Sequence, residues 1–264
     1  MPNLDFILPH VLPLMLVVAR LTGLFVFTPM LSSSTVPRSF RVLLSFMFAI
    51  AIYPFVPPFD PAASVDTITL VPLLFAELLI GVAIGLIAAL PLLAVQMGGY
   101  IMGYQIGLSL AESFNPELEA NGSAVGDLIF YLAIMSFIGL GGLELLFATM
   151  ADSFRAVPIG MFTASDTPLD LFVGVLGSGF DMAIRVATPV MAVVSMLMVA
   201  MGFVMKTMPQ INIMTVGFSA QIVCGLMMLL VSLAVISNVA DDEIGRVMQA
   251  IAEWLRGVGG VYGR

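Results

Sequence analysis

An all-α, membrane-class fold is predicted by three observations on this sequence. Its apolar runs are as long as bilayer-spanning helices, its charges are scarce, and its apolar stretches lack the period-two alternation of barrel strands. Charged residues make up 10% of the chain and hydrophobic ones 60%, with a mean hydropathy of +1.11. A soluble chain carries roughly 25% charged residues. Backbone groups in hydrocarbon find partners only inside helices or closed barrels, so nearly the whole chain is expected to be helical.

The first run, Phe6–Leu31, contains His10 and Arg20, and Asp5 precedes it with no cation. A cleavable signal with a positive leading region is therefore not expected, and the first helix should be retained. The second run, Val42–Phe59, ends at Pro54, Pro57, Pro58 and Pro61. Proline removes a donor and disfavours helix in the residue before it, which predicts a helix end and an extended turn. Leu70–Ala111 and Leu171–Met205 exceed the ~20 residues of one span and are long enough to fold back as hairpins. Leu128–Met150 and Ile211–Val239 complete the set. Pro72, Pro91 and Pro189 fall inside apolar runs and predict kinked or broken helices.

The organisation expected is one helical membrane domain over residues 1–240, without linkers, and an amphipathic C-terminal helix and tail over 241–264. In that tail Ile244, Val247, Met248, Ile251, Trp254 and Leu255 share one face, opposite Glu243, Arg246, Gln249, Glu253 and Arg256. Asp241, Asp242 and Glu243 suit the start of such a helix, Arg256 suits its end, and Gly257, Gly259 and Gly260 release the chain. It reads either as an interfacial helix lying on the membrane or as a docking helix for a partner.

The net charge is −8, and no clustered basic surface offers nucleic acid a site. Arg38 and Arg41 follow the first run, Arg155 the fourth, and Arg246, Arg256 and Arg264 occupy the tail. The stretches bearing Asp60 with Asp66, and Glu112, Glu117 and Glu119, hold no cation. The positive-inside rule then places the N-terminus outside and the tail in the cytoplasm, with Lys206 dissenting.

Catalytic chemistry has little material here, and no cofactor or metal site is expected. His10 is the single histidine and Cys224 the single cysteine. One of each completes neither a zinc site nor a nucleophile with its base. Cys224 reads as a small buried hydrophobe. Ser123 and Ser178 lack the Gly-x-Ser-x-Gly context of a nucleophile elbow. Gly126-Asp127 is half of an intramembrane aspartyl protease motif with no matching second aspartate.

Gly99, Gly103 and Gly107 recur every four residues, as do Gly81 with Gly85 and Gly122 with Gly126. On a helix such series form grooves that admit a second backbone. Arg20, Glu77, Glu144, Asp181 and Arg185 are charges inside apolar runs, where ionisable groups mark relays or paired structural sites. Asp181 and Arg185 stand i,i+4 in the order that favours mutual neutralisation, and structural pairing is the reading favoured here, with Arg20, Glu77 and Glu144 expected to find partners on neighbouring helices or subunits. The 20 methionines fill core space, with a compliant gasket-like surface as the sharper alternative.

Four segments go further. Pro29-Met30-Leu31-Ser32-Ser33-Ser34-Thr35-Val36-Pro37-Arg38-Ser39-Phe40-Arg41 closes the first run, and Gly103-Tyr104-Gln105-Ile106-Gly107-Leu108-Ser109 ends the third. Ala187-Thr188-Pro189-Val190-Met191 sits within the fifth. Lys206-Thr-Met-Pro209-Gln210-Ile-Asn212-Ile213 continues into Thr215-Val216-Gly217-Phe218 as a polar elbow between apolar runs. Unpaired polar groups there cost several kcal/mol, so such residues are kept for a reason. In this order, from about Leu12 to about Leu233, the segments resemble the FliR family of flagellar type III export-gate components, which has homologues in virulence injectisomes. The elbow follows the flagellar manner.

The resemblance implies a structural, pore-forming subunit that assembles with FliP and FliQ into a helical, closed-topped conduit in the bacterial inner membrane. Unfolded flagellar subunits pass through it, and FlhB and FlhA are its neighbours. It also implies that the segment from Gly107, Leu108, Ser109 and Leu110 through Glu112, Phe114, Asn115 and Pro116 is a plug closing the pore. Residues alone read that segment equally as a solvated loop, and Glu117-Leu118-Glu119 has no counterpart in the family pattern. In such complexes apolar runs can be buried against other subunits instead of lipid. The competing reading is a secondary transporter for a small solute, which accounts for broken helices and buried charges but predicts an internal repeat that is not found.

Overall fold

A computed structural model describes residues 8–28, 37–57, 67–108, 123–161, 168–208 and 213–262. All regular elements among them are helical. Helix α1 is Leu8–Phe27 and α2 is Arg38–Ile52, followed by a 3-10 turn at Tyr53–Phe55. Then come α3 Thr67–Ile106, α4 Ala124–Gly139, α5 Gly142–Ala156, α6 Leu169–Thr207 and α7 Ile213–Tyr262. The proline cluster ends α2 as expected: Pro54 lies in the 3-10 turn and Val56 is extended at φ −76°.

Four expectations need correction. The two longest runs do not fold back as hairpins, because α3 and α6 are single helices of 40 and 39 residues. Neither contains a polar turn at which it could reverse, and a lone proline removes one backbone bond without ending a helix whose surroundings are apolar. Pro72, Pro91 and Pro189 accordingly break nothing. The run Leu128–Met150 is not one helix: the chain turns at Leu140 and at Gly141, whose φ of 71° favours glycine. Finally, the tail helix is the end of α7, a helix of 50 residues that passes through Asp241–Glu243 and Gly257 without interruption. Asp241 does not start a helix; it accepts a hydrogen bond from the Ser136 hydroxyl of α4.

Four of these helices are long and apolar enough to cross a membrane, and a fifth span results if α4 and α5 count together. The chain divides into two compact units. One comprises Met1–Leu90, Gly141–Val175 and Gly245–Arg264, the other Pro91–Leu140 and Leu176–Ile244. In the first, Leu16, Leu21 and Leu24 of α1 are fully covered, as are Ile84 of α3, Phe154 of α5 and Ile251 of α7. Phe48 stacks on Phe147 at 4.2 Å with planes 9° apart, and Phe25 tilts against both. The second unit buries Leu92, Val95 and Met102 of α3, Ile129 of α4 and Ala183, Val186 and Val190 of α6.

Candidate functional site

In the first unit the buried charges find each other. Arg20 of α1 has no exposed surface, and its Nε donates to Glu77 Oε2 of α3 at 2.6 Å. Arginine brings five donors in a fixed fork, and a buried one needs several acceptors. Nη1 donates to Ser153 Oγ of α5 at 3.2 Å and Nη2 to the Val157 carbonyl at 3.1 Å. The second carboxylate oxygen of Glu77 accepts from Gly160 N–H at 3.0 Å, and the Ser153 hydroxyl itself donates to the Met150 carbonyl at 2.7 Å. The Phe154 ring lies 4.2 Å from the guanidinium carbon, adding a cation–π contact. One ion pair thus ties α1, α3, the end of α5 and the turn after it.

Glycines bring the two helices close enough for this. A Cβ on Gly81 would strike the backbone carbonyl of Arg20, and one on Gly23 would strike that of Leu78. One on Gly85 would lie 2.6 Å from the Leu24 carbonyl. Helices α1 and α3 therefore meet backbone to backbone, one turn from the ion pair on each helix. Sequence alone marks Gly81 with Gly85 and expects partners for Arg20 and Glu77 on neighbouring helices or subunits, but it does not pair the two with each other, and nothing in it marks Gly23, Ser153 or Gly160. The legible signal is a charge followed three or four residues later by glycine on both helices: Arg20 then Gly23, Glu77 then Gly81.

In the second unit the start of α4 comes against α3 at Gly99 and Gly103. A Cβ on Gly99 would come within 2.7 Å of Gly126 Cα, whereas on Gly103 it would meet the Ser123 hydroxyl, a side chain free to rotate. Gly99→Ala should therefore destabilise the protein more than Gly103→Ala, while Gly103→Leu should cost about 1–3 kcal/mol by overpacking. Equal yields of folded, protease-resistant protein for the wild type and the Gly99 and Gly103 variants would refute this ordering.

Gly107 does not extend the groove. Its φ of 92° terminates α3, where Phe218 and Gln221 of α7 lie at ordinary contact distance. The last carbonyls of a helix lack internal partners; Gln221 supplies one by donating to the Gln105 carbonyl at 2.6 Å. Gln105 in turn donates to Ser195 Oγ of α6 at 3.3 Å, and Gly225 packs on Ile106. Nearby, Gln96 donates to Asp127 at 3.2 Å. Gln221 and Gln96 were not singled out by sequence.

Asp181 and Arg185 lie 2.6 Å apart on the exposed face of α6. Glu144 is exposed in the first turn of α5, where its charge suits the helix dipole. Arg41 is half-buried in α2, Pro37 precedes that helix, Arg38 begins it, Pro189 is inside α6, and Lys206 is exposed in its last turn. Leu108 is half-buried. Ser109, Leu110, Glu112, Phe114, Asn115 and Pro116 lie outside the described residues, as do Pro29, Pro209, Gln210 and Asn212. Among the described residues no group of three or more His, Cys, Asp or Glu side chains is placed to hold a metal ion.

The family described as "Bacterial export proteins, family 1" matches residues 11–247. A relative from Bacillus subtilis (strain 168), the flagellar biosynthetic protein FliR, is 26% identical over 248 residues, covering 93% of this chain and 95% of its own. The protein of that name from Aquifex aeolicus (strain VF5) is 27% identical, with coverages of 81% and 82%. That from Escherichia coli (strain K12) is 26% identical, with 89% of each chain covered.

Proposed function

Because this chain belongs to the bacterial export proteins, family 1, we propose that it is a structural, pore-forming subunit of the flagellar protein-export gate in the bacterial inner membrane. The name shared by its relatives supports a part in flagellar export. What supports membership of a larger assembly is a mismatch of length. At ~1.5 Å per residue, α6 is about 58 Å long, twice the ~30 Å hydrocarbon core it is apolar enough to enter. Yet only 11% of its most apolar stretch is buried within the chain, against 67% for α3. Exposed apolar residues run along it from Leu169 through Phe180, Ile184 and Met196 to Phe203 and Met205. A bilayer covers about half of such a stripe, and other protein subunits cover the rest.

In this reading FliP and FliQ are those subunits, FlhB and FlhA are neighbours, and unfolded flagellar proteins are the cargo. The N-terminus lies on the periplasmic side and the C-terminus in the cytoplasm. Gly107 to Pro116 closes the pore, and the clamped end of α3 at Gln105 is its fixed root. Two measurements test this. Purification of the tagged chain from its native membrane should bring FliP and FliQ with it, and a monodisperse, protease-resistant monomer would count against the assembly. Shortening Glu112–Ala120 should leave the complex intact but let small ions leak. Tight membranes at normal complex levels would sink the plug.

A further inference from the structure

The chain passes between its two units four times, after Leu90, Leu140, Val175 and Ile244. The second passage is the turn at Leu140 and Gly141, whereas the other three run through the unbroken helices α3, α6 and α7. Each helix carries a weak point there. Pro91 stands at the passage of α3 and has no N–H with which to reach the Ile87 carbonyl. Gly174 and Gly177 flank the passage of α6, and Gly245 stands at that of α7. Nothing lies within 4 Å of a Cβ placed on any of these three glycines, and none has a positive φ. Neither close packing nor backbone conformation therefore calls for glycine at these positions. Gly23, Gly81 and Gly99 differ, since a Cβ there would strike backbone.

We infer that these helices are jointed where they change units: α6 bends at Gly174–Gly177, α7 at Gly245, and Pro91 is the soft point of α3. Glycine holds a helix interior about fivefold less well than alanine, and with no packing gain to offset it that deficit becomes freedom to bend. In α6 the neighbours Gly177 and Ser178 are a pair of the kind at which helices kink. On both sides the helices are held. Ile87 and Leu92, Val175 and Met182, and Ile244 and Val247 are buried around the three passages, which confines a bend to the few residues between them. Hinges of this kind are a few residues, often small, that absorb the change in backbone angles. Of the other described glycines with open surroundings, Gly139 adjoins the turn at Gly141, and Gly202 and Gly257 lie in the last two turns of α6 and α7, where helices fray. The joint is a property of the chain and does not rest on the export reading.

Two spin labels on α6 read the bend directly. Leu169 and Met196 are exposed on either side of it and would stand about 40 Å apart along a straight helix. Cys224, the single cysteine, is replaced through Cys224→Ala, and Leu169→Cys with Met196→Cys supplies the labelling sites. The full chain, in the complex it purifies with, is then measured by double electron–electron resonance. This parent should show a second population at shorter distances, and adding Gly174→Ala/Gly177→Ala should shrink that population by about fivefold or more. Gly202→Ala, equally open but beyond the labels, should leave it unchanged. Where the label pair lowers accumulation, Val173→Cys takes the place of Leu169→Cys, since Val173 is as exposed and also precedes the joint. A single narrow distance in the parent would mean that α6 is a straight rod whose open glycines serve another purpose. A short-distance population that survives both alanines would put the bend elsewhere in the labelled stretch, at Pro189 first of all. Either result overturns the proposal.

Discussion

Arg20→Leu should cost about 3–5 kcal/mol, the usual penalty for stripping one partner from a buried ion pair. Glu77 would keep its hydrogen bond from Gly160 but face apolar surroundings with its charge uncompensated, while Ser153 and the Val157 carbonyl lose a donor. Against a total stability of ~5–15 kcal/mol, that loss decides whether the protein survives. Glu77→Leu should be comparably harmful, since it leaves a guanidinium in the same place. The double variant Arg20→Leu/Glu77→Leu should recover much of the loss, because apolar residues of similar volume often replace buried pairs at little cost. The measurement is the unfolding midpoint of the purified protein, with membrane levels as a second readout. Single variants as stable as the parent would mean that water reaches the pair. Failure of the double variant to recover would mean that the links to Ser153, Val157 and Gly160 matter more than charge balance.

Gly81→Leu should be the most damaging of the glycine replacements. The atom its Cβ would meet is the Arg20 backbone carbonyl, which no rotamer change can move. Overpacking costs about 1–3 kcal/mol where neighbours can yield, and here α1 itself must shift. Moving α1 also misplaces the Arg20 fork, so the damage couples to the ion pair. Gly81→Leu combined with Arg20→Leu/Glu77→Leu should therefore be less harmful than the sum of the two changes. Gly177→Ala is the control: nothing lies within 4 Å of its Cβ position. In a helix interior that change should be neutral or stabilise by ~0.5–1 kcal/mol. Equal stability of the Gly81 and Gly177 variants would refute the close crossing of α1 and α3.

Helix class, membrane character and the end of α2 were legible because each rests on local chemistry: apolar length, scarcity of charge, and proline at Pro54. Where one helix stops was harder. Leu70–Ala111 is long enough for two arms, but arms need a reversal, and of its prolines Pro72 stands at the start and only Pro91 lies well inside the run. The break at Gly141 was missed for the opposite reason, since Gly139-Leu140-Gly141-Gly142 sits in an apolar run whose hydropathy hides the turn. Tertiary pairing was the least accessible. Arg20 and Glu77 stand 57 residues apart, and Arg20 and Ser153 stand 133 apart; no periodicity connects them. Gly103 was recognisable by its spacing, whereas Gln221 carries no pattern and is explained only by the unpaired Gln105 carbonyl it meets.

The first unit is sewn from three separated stretches, and the last of them begins at Gly245. Ile251 and Leu255 of that stretch belong to its core. Synthesis runs from the N-terminus, so Arg20 and Glu77 leave the ribosome long before the residues that seal the unit around them. During that interval the first unit lacks the stretch that adds Ile251 and Leu255 to its core. The stretch from Gly245, read from sequence as a separate amphipathic helix, is therefore the part of the first unit that is made after the other two.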